Sequence, residues 1–590
     1  MDDTEHFTSD PDGVNVAWKG VQELWEKQLL CDVKLVAQGQ VFQVHRCYMA
    51  ACSMYFKCMF TQGFRESKEG EVEMHGVTAQ GLKAIIHYMY TGSIEINTGN
   101  INDILQAASL LQIDDVQSFC SQYILRYLDL DNCLEYLRIS DFFSLNETTE
   151  QILEYVLDNY DSVSETDDFL RRCDANILSQ LLSSDSLKAD SEASVFDSLV
   201  QWLVHDTGRM IHAEKLLKLI RYGLLKGKEM EHIKSQLVSL QTGYDIALDK
   251  VLQDATDYHH NIYEQPLVDS HMVQQRVYYS SFVGIRRDEE KISGEGIVAA
   301  ASPVVQKRLR RFTRVGQRCC FMQKTLFAAS TTVNNFLFVA GGMTNSNSVS
   351  TAFRYNASTG EWLQLADMND SHCDFALVAL SDCLVSVGGN YGSPDSEDCV
   401  EKYSFKENVW TRLPPLDHQV SANAGCALNG LVFISGGVYS SSDPTPDNAS
   451  TRVQCFDFKL NAWSDRSAMN NARMSHAMVA HGEQIFVCGG ETGIIEGGPP
   501  VLTSEVYDVK TDQWSFVTST PISCFNPGAA CFEGSIYIVG GERLNRNEPT
   551  DVVMRYDIDS KKWIVQKLPL NGLMWNVGHF LKVPVNMYYK

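Results

Sequence analysis

Seventeen cysteines and 15 histidines would suffice for a thiol nucleophile or a zinc centre, yet their spacing in this 590-residue chain supplies neither. The cysteines are odd in number and irregularly placed, and no Cys-x-x-Cys pair offers the close ligands of a structural zinc. Reduced thiols in a cytosolic or nuclear setting are the expectation. Gly223-Leu-Leu-Lys-Gly227-Lys228 comes near to a phosphate-binding loop, but it is one residue short, and Glu229 stands where Ser or Thr would meet magnesium. His259-His260 is a lone pair in a polar stretch, the usual setting of solvated histidines. No Gly-x-Ser-x-Gly elbow, His-Glu-x-x-His helix or kinase motif set occurs. These residues point to a binding protein with no catalytic residue, cofactor or metal.

The elements that would position a binding site are repeated. Gly-Gly doublets stand at 341–342, 388–389, 436–437, 489–490 and 540–541, each closing an apolar run. After each comes an aromatic residue seven positions before a Trp: Tyr355/Trp362, Tyr403/Trp410, Phe456/Trp463, Tyr507/Trp514 and Tyr556/Trp563. Successive doublets lie 47, 48, 53 and 51 residues apart, the period of a propeller blade of about fifty residues. Each copy holds four short strand candidates, as in 375–380, 384–387, 400–403 and 410–413. One such sheet cannot bury both faces, so neighbours must stack radially, with glycines giving close backbone approach and Tyr and Trp filling the space between blades. Residues 278 to 325 occupy about one further blade but offer Phe282-Val-Gly-Ile285 in place of a doublet. The run 577–583 reads as a displaced first strand. The expected ring has six blades, one degenerate, closed by pairing the chain end with the blade start; five or seven would also fit the spacing.

Of the formal net charge of −25, most falls in residues 1 to 275. An acidic front half argues against general nucleic-acid binding. Lys307, Arg308, Arg310, Arg311, Arg314 and Arg318 form the one basic cluster, read first as a solvated strand and loop and second as an import signal or acidic-partner site. No run of 18 apolar residues appears, and the start Met1-Asp2-Asp3-Thr4-Glu5 is acidic, so a soluble protein is expected, cytoplasmic or also nuclear, with no membrane partner.

Residues 1–12 are polar and acidic and read as disordered. Val14, Trp18, Val21, Trp25 and Leu29 then fall on one helical stripe whose apolar surface needs a partner, either the chain's own core or a second copy. Strands 31–36 and 41–44 flank Gln38-Gly39-Gln40 as a hairpin. A helix with Tyr48, Met49, Cys52, Tyr55, Phe56, Met59 and Phe60 on one face follows, then the run 71–74, a helix through Tyr90, and helical pattern from Ile101 through Leu128. From Asp131 to about 260 the pattern is all helical, with Ser184-Asp185 and Glu192 offering caps before Val195. Tyr258 to Ser270, containing Pro266, reads as the connection to the repeats.

The repeats resemble the kelch family. Cys31-Asp32-Val33, His45-Arg46, Ala50-Ala51-Cys52-Ser53, Tyr55-Phe56, Met59-Phe60, Tyr90-Thr91-Gly92 and Ala107-Ala108-x-Leu110-Leu111-Gln112 resemble a BTB domain, and the helical stretch after them resembles a BACK domain. The expected division is a disordered tail at 1–12, an α/β BTB domain at 13–129, an all-α BACK domain at 130–260, a linker at 261–276 and an all-β kelch propeller at 277–590. That order is similar to the kelch-like family. The resemblance implies a substrate-recognition adaptor of a cullin-3 RING ubiquitin ligase, in which BTB forms a homodimer and grips cullin-3 while the propeller holds a target protein. It places Phe64 and Glu66 at the cullin-3 contact, and Asp32 and Arg46 in the homodimer region alongside Trp18, Val21 and Trp25. A structural cross-linker of actin or another filament, and an enzyme with a propeller active site, are the competing readings. Strand alternation puts the loops after the doublets and the blade-to-blade linkers on one face. The doublet-to-aromatic spacing varies from 13 to 19 residues there, so target contacts are expected in 438–450 and 491–503 with help from the linkers, naming Tyr439, Glu491, His372 and Arg473.

Overall fold

Gln38 and Gly39 turn the chain through positive φ, 48° and 77°, and this two-residue loop sets Val33–Ala37 antiparallel to Gln40–Val44. Glu71–Glu73 joins the other side of Val33–Ala37 in parallel. Val33, Leu35 and Ala37 alternate into the core, as a half-buried strand requires. The computed structural model describes the chain except residues 1–3, 9–15, 64, 66–67, 226, 240–245, 275, 277, 287–296, 302–311, 315–326, 345–346, 390–398, 440–448, 494–498, 523, 540–541, 544–547, 550–551, 568–578 and 585–590. Among the described residues no helix is long and apolar enough to cross a membrane. The chain forms two units, Met1–Leu219 and Ile220–Lys590.

In the first unit the expected helix over Tyr48 to Phe60 is two helices, Arg46–Cys52 and Met54–Thr61. Ser53 breaks it: at φ −142° it accepts from the Phe56 amide to cap the second helix and donates to the Leu111 carbonyl at 2.6 Å. The pattern from 101 to 128 likewise divides, into Ile101–Leu111 and Asp114–Arg126, because Gln112 takes a left-handed conformation. Helices from Cys133–Phe142 to Glu192–His205 follow. Ser191, rather than Ser184 or Asp185, caps the last of these, in a reciprocal box with Ser194. The expectation of disorder over residues 1–12 fails in part. Glu5–Thr8 is a strand antiparallel to Ser93–Ile96, and Glu5 pairs with Arg126 at 2.6 Å, so ladder bonds outweigh the acidic composition.

The second unit includes the helices Gly227–Ser239 and Ile246–His260, so the helical region expected over 130–260 straddles the boundary between units. The linker after them is pinned to the propeller. Arg354 donates to the Ile262 carbonyl and to Gln265 Oε1 and lies over the Phe336 ring at 4.6 Å.

Among the described residues six four-stranded antiparallel sheets follow. Five match the sequence repeats and are numbered here as blades: one at 329–364, two at 376–412, three at 424–466, four at 477–519 and five at 528–567. The sixth sheet sets His579–Pro584 beside Tyr278–Arg286, Ile297–Ala301 and Phe312–Arg314. Thus the chain end supplies its first strand, as the displaced run 577–583 suggested.

The aromatic and the Trp of each repeat are direct cross-strand partners, with ring centroids 5.1 to 5.2 Å apart in all five. Their separation is constant because a tight turn joins their strands, with Gly360, Asn408, Asn461, Asp512 or Lys561 at positive φ. Trp410, Trp463 and Trp514 donate their indole N–H to the carbonyls of Ala366, Pro414 and Ser467 in the preceding linkers. These three Trp residues therefore pack their own blades and tie each to the linker before it.

Candidate functional site

The described doublet glycines, in blades one to four, let the second strand end against the linkers on either side. Gly436 sits at φ 61°, where a Cβ would lie 2.1 Å from the Arg473 carbonyl, and Gly437 donates to that same carbonyl at 3.0 Å. The linkers in turn join one another. Asp374, Ala422, Ser475 and Asn526, all at positive φ, donate their amides to the carbonyls of Phe327, Asp374, Ala422 and Ser475, respectively, at 2.8 to 3.0 Å. A belt of backbone hydrogen bonds thus runs from blade to blade on the face that carries the variable loops. Behind it is a channel of about 480 Å³, lined by first strands of the blades together with Asn423, His476 and His579.

Structure reassigns the four residues named for target contact. His372 and Arg473 are fully buried, Tyr439 is 7% exposed and Glu491 5%. His372 donates Nδ1–H to the Gly388 carbonyl at 3.0 Å and stacks on Phe375, and burial pushes its pKa below the ordinary value. Arg473 pairs with the buried Glu505 at 2.6 Å and donates to the carbonyls of Gly489 and Thr503. Tyr439 lies under the Arg452 guanidinium. These four side chains are turned into the fold, and the loop residues 440–448 and 494–498 lie outside the described residues. Exposed side chains at the strand ends and linkers of this face are Arg412, Asp417, His418 and Asp465, which the loop-length argument passed over. Their signal was positional: Arg412 and Asp465 each stand two residues beyond a repeat Trp.

Glu491 is a carboxylate buried at a cost. Among the described residues its Oε2 has no hydrogen-bond partner, and burial raises its pKa to about 7. A carboxylate whose folded pKa is raised weakens the fold as pH climbs from the unfolded value near 4.3 through about 7. Glu491→Gln is expected to stabilise the protein by on the order of 2 kcal/mol at pH 8 and by almost nothing at pH 4. Thermal unfolding at the two pH values checks this; equal effects at both would contradict it.

In the first unit Trp25 stacks on Tyr90 at 4.6 Å and 2° and meets His87 edge-on, so the amino-terminal helix Val16–Glu26 packs within its own chain. Trp18, Val21 and Trp25 stay half-buried. The exposed Asp32 accepts from the Arg46 amide at 2.8 Å, while the Arg46 guanidinium donates to the Glu69 carbonyl and lies over Phe60. His45, which sequence gave no role, is buried and bonds Tyr90 Oη at 2.8 Å and the Leu29 carbonyl at 2.9 Å, joining helix, hairpin and core. Phe64 and Glu66 lie outside the described residues, as does the basic cluster except Arg314, which is in strand Phe312–Arg314.

Comparison with known families matches the BTB/POZ domain over residues 21–128, the "BTB And C-terminal Kelch" domain over 133–234, and the Kelch motif over 324–369, 371–416, 472–521 and 523–566. Among relatives, the chain is 28% identical to Kelch-like protein 15 of Homo sapiens, with 98% of both chains covered. It is 27% identical to Kelch-like protein 26 of Danio rerio, covering 94% of this chain and 91% of that one. Against Kelch-like protein 36 of Bos taurus the identity is 29%, covering 91% and 86%. With an α/β BTB domain, a helical BACK domain and a strand-rich kelch propeller in that order, and relatives that share it end to end, the chain belongs to the BTB-BACK-kelch family.

Proposed function

We propose that the protein is a non-catalytic substrate-recognition adaptor of a cullin-3 RING ubiquitin ligase. In this reading the BTB domain binds cullin-3 through Phe64 and Glu66 and pairs two copies through the face of Trp18, Val21, Trp25, Asp32 and Arg46. The propeller then binds the target protein. The observation that carries the reading is the order of the three domains in one chain: an α/β BTB domain, a helical BACK domain and a strand-rich kelch propeller. Ubiquitin transfer would be accelerated by proximity alone, the target being held beside a conjugating enzyme supplied by other subunits. Two propellers in one dimer would add avidity for targets with two sites.

Target contacts are assigned to the loop face, in 438–450 and 491–503, and to the exposed Arg412, Asp417, His418 and Asp465. Replacing both loops with short Gly-Ser turns is expected to remove target proteins from the affinity-purified complex and to leave cullin-3 in it. Quantitative mass spectrometry reads both at once. Capture that persists in full would move the target site off these loops, and co-sedimentation with actin filaments in place of cullin-3 would favour a cytoskeletal scaffold.

A further inference from the structure

Internal comparison of the blades isolates a cluster in blade two. In blades two to five the same two positions can be matched, the residue two before the aromatic of the third strand and the linker residue two before the positive-φ belt residue. In blade four these are Glu505 and Arg473, a fully buried pair at 2.6 Å. In blade three they are Gln454 and Val420, and in blade five Met554 and Cys524, so where the cation is absent the acid is absent too. Blade two departs from this rule. It keeps a fully buried acid, Glu401, but its linker residue is His372, whose Nδ1–H is directed to the Gly388 carbonyl and whose Nε2 lies 3.1 Å from Met368 Sδ.

Two neighbouring positions change in the same direction. Blade four has Asn471 and Thr503 beside its pair, joined by a 2.9 Å hydrogen bond. Blade two has Asp370 and Cys399 in their places, with Cys399 Sγ 2.9 Å from Asp370 Oδ2 and 3.8 Å from Glu401 Oε1. An arginine has become a histidine, an amide an acid, and a hydroxyl a thiol. The only ion pair to this cluster among the described residues is Arg412 on Asp370, at 2.9 Å on the solvent side.

We propose that Asp370, Cys399 and Glu401 bind a divalent zinc-class cation, which takes the role that the Arg473 guanidinium has in blade four. Their ligand atoms lie within 4.8 Å of one another. Ligands at 2.0 to 2.3 Å from a tetrahedral zinc stand about 3.5 Å apart, so modest side-chain rotation closes the site. The charges balance as well. Two carboxylates and a thiolate are neutralised by one divalent ion together with Arg412, and the Cys399 proton leaves to solvent as the metal–sulfur bond forms. A thiolate with carboxylates suits zinc and its probe cobalt, whereas magnesium and calcium prefer oxygen alone. The bound ion would clamp the linker at Asp370 to the third strand of blade two, stiffening the face beside Arg412 and Asp417.

The test uses the full chain, stripped of metal and titrated with cobalt(II). Wild type is expected to show a thiolate-to-cobalt charge-transfer absorption that saturates at one equivalent and is displaced by zinc. Cys399→Ala is expected to lose that absorption. His372→Arg, which restores the blade-four pattern, is expected to lose it too while unfolding at a temperature no lower than that of metal-free wild type. Absence of the band in wild type would overturn the proposal. So would a band of equal size in Cys399→Ala, which would mean adventitious binding by other thiols.

Discussion

Arg473→Ala is expected to lower the stability of the propeller by about 3–5 kcal/mol, because it leaves Glu505 as a fully buried carboxylate without its cation. The side chain also satisfies the carbonyls of Gly489 and Thr503, which would lose their donor. Urea unfolding followed by tryptophan fluorescence measures the loss. The same protein suggests the rescue, since blade three places Val420 where blade four has Arg473 and blade five places Met554 where it has Glu505. The double variant Arg473→Val with Glu505→Met should recover most of the stability that the single variant loses. Stability unchanged in Arg473→Ala, with only target capture reduced, would restore Arg473 to the role of a contact residue. The pH dependence has a definite sign. Although burial pushes the Glu505 pKa up, hydrogen bonds from Arg473 and Asn470 and the Arg473 charge hold it below the usual value. Its contribution is therefore present above the unfolded pKa near 4.3 and disappears as pH falls through the folded value, opposite to the trend expected for Glu491.

Phe64→Ala with Glu66→Ala is the second large effect. An apolar anchor in a protein interface commonly accounts for more than 2 kcal/mol of binding, so affinity for cullin-3 should fall at least about thirtyfold. Both positions follow the helix Met54–Thr61, and neither is named in the pairing face of Trp18, Val21 and Trp25. Light scattering should therefore still find a dimer. A folded double variant that retrieves cullin-3 as well as wild type does would shift the reading toward a filament cross-linker.

The repeated half was legible because its constraints are local. A doublet at positive φ and a Tyr and Trp on opposite sides of a four-residue turn need particular residues at fixed spacing, so the period appears in the sequence directly. The sixth sheet was legible by elimination, from a strand-like run left over at 577–583. Helix breaks at Ser53 and Gln112 were not, because a helical stripe continues through them and only a tertiary bond, such as that of Ser53 to Leu111, reveals the break. The strand Glu5–Thr8 was hidden for a similar reason, since its partner Ser93–Ile96 is far away in sequence.

The site was the least legible part. Position in a linker does not distinguish a side chain that faces a partner from one that turns inward, and His372 and Arg473 turn inward. The inward course of Arg473 still carried a sequence signal. Arg473 and Glu505 give way together to Val420 and Gln454 in blade three and to Cys524 and Met554 in blade five, which fits the buried pair that blade four shows.

The account rests above all on the BTB domain gripping cullin-3 as a dimer. Size-exclusion chromatography with light scattering on the purified full chain, alone and mixed with purified cullin-3 at micromolar concentration, tests this most directly. The account predicts a homodimer that takes up two cullin-3 molecules. A monomeric chain that elutes apart from cullin-3 would contradict it.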